Sequence, residues 1–197
     1  MAEKLGKLQA QVMNGQLKEL TIELGGELLH KHSELLKAGV LHGLFAQLMS
    51  EPVNYINAPI IAKTMGIRIG EKKEQEVINY TNMLSISYKT DKEERSFAGT
   101  VFGGKHLKIV RLDKYYIEGT PNGTFLYYTN IDRPGMVAKV GAIFADANIN
   151  IAGLSLGRTG IGERALAIVS VDSPIPDSVL QKVKSIDGVF HAQIVTL

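Results

Sequence analysis

Cysteine is absent from the 197 residues. That excludes a disulfide framework, a thiolate metal site and a cysteine nucleophile. Charge of one sign is also lacking. The formal net charge is only +2, which argues against a nucleic-acid or membrane partner. No apolar run reaches the length of a membrane-spanning helix. The first residues, with Glu3, Lys4 and Lys7, have no signal-peptide core. A cytoplasmic protein is expected. Internal repeats, low-complexity tracts and local Ser/His/Asp motifs are missing too. The glycines of Gly157-Arg158-Thr159-Gly160-Ile161-Gly162 do not fit GxGxxG and read as ordinary turn glycines. No cofactor loop, metal site or catalytic residue is therefore expected in this chain.

What remains is the composition of an ordinary globular protein, 45% hydrophobic and 21% charged, long enough for one large or two small domains. The most informative stretch runs from Thr124 to Leu156. Thr124-Phe125-Leu126-Tyr127-Tyr128-Thr129 is aromatic, aliphatic and β-branched, which predicts a strand. Pro134 suits the first position of a helix, and Asp132 suits its cap. Met136, Val137, Val140, Ile143, Phe144 and Ala147 recur at helical spacing. Asn148 is a left-handed stop, and Ile149, Ile151 and Leu154 open a second strand. A right-handed crossover joins the two strands in one sheet. Asp132 and Asn150 are expected to face a common space and hold the ammonium and carboxylate of a small amino acid. The competing reading is that Asp132 only caps its helix and Asn150 only starts a strand.

The rest of the chain predicts helices over 2–12, from Ser33 to Leu48 and from Ala58-Pro59 to Met65, with Ser33 and Asn57 as caps. Strands are expected over 18–28, from Ile67, over 83–89, 96–102, 106–112 and 115–118. Thr120-Pro121-Asn122-Gly123 is the strongest loop signal and marks a domain boundary. After it, strands over 164–171 and 189–195 and a helix after Pro176 complete a βαββαβ order, the ferredoxin-like plan. Lys105, Lys108 and Arg111 follow the Gly103-Gly104 turn. They form either a site for a phosphorylated or carboxylate metabolite or a solvated strand face. His30 and His32 stand at strand spacing without a third metal ligand nearby.

Asp132-Arg133-Pro134-Gly135, the apolar helix and Asn148-Ile149-Asn150-Ile151-Ala152 resemble the first half of an ACT domain, a small regulatory module that binds amino acids. Glu51-Pro52-Val53-Asn54-Tyr55-Ile56-Asn57-Ala58-Pro59 resembles the intervening domain of long-form D-3-phosphoglycerate dehydrogenase, and the resemblance runs from Ala2 to Leu197. It implies an α/β (α+β) fold, with an intervening, allosteric substrate-binding-like domain over 1–120 and an ACT domain over 121–197. Residues 1–15 would continue from a catalytic core absent from this chain. It further implies a regulatory, non-catalytic chain of an enzyme of L-serine biosynthesis, whose NAD is bound elsewhere. L-serine or a similar amino acid would bind through Asn130, Asp132 and Asn150 for feedback control. An anionic metabolite would bind at the intervening domain through Lys105, Lys108 and Arg111. Homo-oligomers through ACT domains are implied, along with catalytic domains as partners if those are separate. In serine-regulated members the position of Asn130 is often aromatic or imidazole, and this chain departs there. Two other readings stay open: a β-chain-like subunit of L-serine dehydratase, whose usual Gly-Pro-Ser-Ser-Ser-His-type start is missing, and a free-standing amino-acid sensor.

Overall fold

The computed structural model describes residues 1–77 and 79–197. They form two compact units, Met1–Asp113 and Lys114–Leu197. The first unit runs α1 (Ala2–Val12), β1 (Leu17–Gly25), α2 (Glu27–Lys31), α3 (Ser33–Leu48), α4 (Asn57–Thr64), β2 (Arg68–Glu74), β3 (Met83–Thr90), β4 (Glu94–Phe102) and β5 (His106–Leu112). Its strands lie in the order β2-β1-β3-β4-β5. Only β1–β2 is parallel among these neighbours. One face is continuous across the ladder. Leu20, Ile22 and Leu24 pair with Tyr88, Ile86 and Leu84, and all six are buried. The alternation legible in Leu20, Ile22 and Leu24 is this face.

Two glycines let α1 and α3 approach backbone to backbone. A Cβ on Gly6 would lie 2.0 Å from the Val40 carbonyl oxygen, and one on Gly43 would lie 2.1 Å from that of Glu3. Leu5, Leu8, Val40, Leu44 and Phe45 are buried on these two helices. Neither expected cap is used. The helix at Ser33 follows His32 with no side-chain cap. At α4 the capping oxygen belongs to Asn54, whose Oδ1 accepts the Ile56 and Asn57 amides at 2.9 Å each, while Asn57 Oδ1 accepts the Asn54 amide at 2.7 Å. The expected strand over 18–28 stops at Gly25, and Leu28 lies in α2 instead.

The second unit runs β6 (Tyr115–Gly119), β7 (Thr124–Ile131), α5 (Met136–Asp146), β8 (Ile151–Arg158), β9 (Arg164–Val171), α6 (Asp177–Lys184) and β10 (Val189–Thr196). From β7 onward this is βαββαβ, in the sheet order β10-β7-β9-β8. The ferredoxin-like plan predicted from the sequence is the observed fold. β9 is antiparallel to both neighbours, so β7 and β8 run parallel to each other. One sheet face carries Leu126, Tyr128, Ala167, Val169 and Ala192, packed with Val140 and Phe144 of α5 and Val179 and Val183 of α6. The other face carries Ser155 and Gly157, against which β6 lies. The Glu118 amide donates to Ser155 Oγ at 2.9 Å, and a Cβ on Gly157 would meet the Tyr116 carbonyl at 2.5 Å. Among the described residues no helix is long and apolar enough to cross a membrane.

Tyr128 sits in this core, and burial pushes its hydroxyl from 10.0 up to about 12. The neutral form is favoured in the folded state, so the unfolded chain gives up the proton first as pH rises. This contribution to stability is fully present below pH 10 and is lost between pH 10 and about 12. Denaturant melts across that range should show stability falling with pH, and falling less steeply in Tyr128→Phe. Equal slopes in the two proteins would show that Tyr128 carries none of the effect.

Candidate ligand site

The end of β7 is closed by two backbone contacts. The Ile131 amide donates to Gly188 O at 2.9 Å, and the Asp132 amide donates to Glu163 O at 2.7 Å. The chain then turns through Pro134-Gly135. Gly135 takes φ 87° and ψ −11°, the third-position geometry of a type II turn, which a side chain would strain. The turn displaces the expected helix start. Pro134 lies in the turn, Gly135 is the N-cap, and no side chain caps α5. Asp132 therefore does not cap this helix.

Freed from capping, Asp132 lines a pocket of about 310 Å³ between the start of α5 and the ends of β7, β8 and β9. Strand register explains its floor. Asn130 pairs with Ala165, which pairs with Arg158, so the three form a row across β7-β9-β8 on the face that carries the helices. Leu156 stands on the same face, opposite Ala167. Met136 and Val137 close the side nearest α5. Asn130 is buried, and its Nδ2 donates to Ile131 O at 2.6 Å.

The pocket's charges are unequal in their commitments. Arg133 is tied to Asp187, with its Nη2 at 2.5 Å from the backbone oxygen and 2.7 Å from Oδ2. That guanidinium holds the Asp187 carboxyl below its usual range. Arg158 Nη1 contacts Asp132 Oδ2 at a longer 3.3 Å, with side-chain exposures of 59% and 28%. The arrangement offers a carboxylate, a guanidinium held by one long contact and the uncapped amides of a helix N-terminus around a small, half-apolar space.

Asn150 is not in this pocket. It lies just before β8, where Ile151 pairs with Val171 and Val171 with Thr124, so it stands at the start of β7 rather than its end. Its Nδ2 donates to Asp172 Oδ2 at 2.5 Å. Asp132 and Asn150 of one chain are thus roughly 25 Å apart along the strand direction. The expectation that they share a space within one chain is corrected. In a right-handed crossover the second strand starts at the end of the sheet opposite the turn that left the first. Asn148, at φ 54°, is the left-handed stop expected from the sequence. Arg158 was missed because Gly157 to Gly162 reads as one turn. Continuing the alternation of Leu154 and Leu156 by one more step points to it.

Elsewhere, a bulge between Ala98 and Gly99 pairs Ala98 with Arg111 and Thr100 with Lys108, which brings both cations to one face of β5. Arg111 Nε is buried with no hydrogen-bond partner. Lys105 stands apart, exposed in the hairpin turn, where its amide donates to Phe102 O at 3.2 Å. His30 lies on α2 rather than a strand, and its Nε2 is 2.9 Å from Leu24 O and 3.1 Å from Glu74 O. His32 stands between α2 and α3. Among the described residues, no group of three or more His, Cys, Asp or Glu is placed to hold a metal ion.

The βαββαβ unit with a pocket between α5 and the strand ends defines an ACT domain, and the ACT-domain family model matches residues 125–188. The larger match lies upstream: the model of the D-3-phosphoglycerate dehydrogenase intervening domain covers residues 1–113. The chain belongs to the D-3-phosphoglycerate dehydrogenase intervening-domain family and joins that domain to an ACT domain. D-3-phosphoglycerate dehydrogenase of Archaeoglobus fulgidus is 32% identical over 199 residues, covering 100% of this chain and 38% of the relative. The enzyme of the same name from a Synechocystis species is 33% identical over 198 residues, covering 100% and 36%. The chain thus spans little more than a third of the length of these relatives and matches their C-terminal part.

Proposed function

We propose that this chain is the amino-acid-binding regulatory part of a D-3-phosphoglycerate dehydrogenase, and that L-serine binds at the ACT domain for feedback control. The observation that carries this reading is the pocket at the end of β7, where the Asp132 carboxylate is free of any capping role. A ligand ammonium can be received there by a charge-assisted hydrogen bond. The relatives' names favour the dehydrogenase over a dehydratase subunit or a free-standing sensor. The dehydrogenase reaction and its NAD belong in this proposal to residues outside this chain, and the setting is cytoplasmic.

The same reading assigns a homodimer built through β8. This strand ends the sheet order, and Ile151, Leu154 and Leu156 are exposed along it. It carries neither lysine nor proline to block pairing. A two-fold axis perpendicular to the sheet at Leu154 pairs the two β8 strands antiparallel and sets Asn150 of a second copy opposite Arg158. Asp132 from one copy and Asn150 from the other then flank one pocket, so each copy completes its partner's site.

A charge-assisted hydrogen bond contributes about 1.5–3 kcal/mol. Asp132→Ala should therefore weaken L-serine binding roughly ten- to a hundredfold in calorimetric titration, with the melting temperature nearly unchanged. Asp132→Asn, which keeps the shape and removes the charge, should lose a similar amount. Sedimentation of the same samples at micromolar concentration should show dimers. Undiminished binding by both variants, or monomers throughout, would contradict this reading.

For the intervening domain, the unpartnered buried Arg111 Nε supports a site for an anionic metabolite together with Lys108. Lys105, at the hairpin tip, could only reach such an anion from the rim. Phosphate or a phosphorylated three-carbon acid should raise the melting temperature, less so in added salt, and not in Arg111→Gln. Equal stabilisation of that variant would place the anion elsewhere.

A further inference from the structure

We infer that Arg158 reads the α-carboxylate of the ligand, so that the ACT pocket selects zwitterionic α-amino acids over their amides. The inference rests on the amino-acid reading of this pocket. Asp132 and Arg158 put opposite charges side by side, Oδ2 and Nη1 being 3.3 Å apart. That spacing complements an α-ammonium and an α-carboxylate joined through a single carbon. The ligand ammonium takes the Asp132 carboxylate, and the guanidinium turns from Asp132 to the ligand carboxylate, which it can hold with two parallel N–H donors.

Three observations favour Arg158 for this role. The other pocket cation, Arg133, is already bound to Asp187 through two short contacts, and its removal would unpin the turn at Gly188. Arg158 makes one long contact and is more than half exposed, so it can reorient without breaking packing. Its register with Ala165 and Asn130 directs it across the pocket floor on the face that α5 covers. An exposed pair at this distance contributes little to the fold, so a neutral replacement should leave the domain intact.

The rival carboxylate receptor is the uncapped N-terminus of α5, where Met136 and Val137 line the same space. The two receptors are separated by calorimetric titration of the full chain with L-serine and L-serinamide, in the parent, Arg158→Gln and Arg158→Lys. Circular dichroism confirms that each variant is folded. The parent should prefer serine to serinamide by about tenfold or more. Arg158→Gln should lose that preference by weakening serine alone, and Arg158→Lys should keep part of it. An unchanged preference in Arg158→Gln would place the carboxylate on the α5 amides and overturn the inference. Tighter serine binding by Arg158→Gln would also overturn it, showing that the guanidinium blocks Asp132 instead. Failure of the parent to bind either compound would remove the amino-acid reading itself, and this inference with it.

Discussion

The position of β9 between β7 and β8 governs the chemistry of the ACT domain. Because β9 is antiparallel to both, β7 and β8 run the same way, and whatever leaves β7 is one full strand length from whatever enters β8. The turn holding Asp132 opens at one end of the sheet, beside α5 and Arg158. Asn150 opens at the other, beside Asp172. No rearrangement short of unpairing the sheet brings them together within one copy. In the proposed dimer a second copy across β8 would do so, because an antiparallel seam exchanges the two ends of the strand. The same topology leaves β8 at the end of the sheet order, and the proposed two-fold operation would pair that edge and bring Asn150 of one copy to the Asp132 pocket of the other.

The surrounding packing makes this arrangement rigid. The helix-bearing face is filled by Leu126, Tyr128, Val140, Phe144 and their neighbours, so α5 cannot slide relative to β7 without opening a cavity. The Gly135 turn then delivers the helix start to the pocket at a defined angle. In the first unit, the backbone approach of α1 to α3 through Gly6 and Gly43 plays a comparable part. Even a methyl group at either position would collide with a carbonyl, so those helices have one packing distance.

Much of the fold was legible in the sequence because it rests on local periodicity. The strand from Thr124 and the helix from Met136 announce themselves by side-chain spacing, as does the alternation of Leu20, Ile22 and Leu24. The βαββαβ order follows from such segments taken in sequence. What was not legible depends on atoms far apart in the chain or on a single turn. Pro134 looked like a helix start, but Gly135 turns the chain first, and only the φ of that glycine says so. Asn57 looked like a cap, but Asn54 reaches two amides ahead of it. Pairing Asp132 with Asn150 within one chain fails for a different reason: a parallel crossover puts the exit of the first strand and the entry of the second at opposite ends of the sheet. Arg158 escaped notice because neighbouring glycines made a strand end look like a loop.

The central claim is that one amino-acid site is shared by two copies of the chain. It is tested most directly by mixing two defective variants. Asp132→Ala and Asn150→Ala are unfolded together, refolded together and titrated with L-serine. In a mixed dimer the intact Asp132 of one copy meets the intact Asn150 of the other at one of the two sites. The account predicts that each variant alone binds weakly and that the refolded mixture recovers parent-like affinity in about a quarter of the sites, as random pairing of two subunits requires. If the mixture binds no better than the separate variants, although mixed dimers have formed, the site does not cross the seam and the account is contradicted.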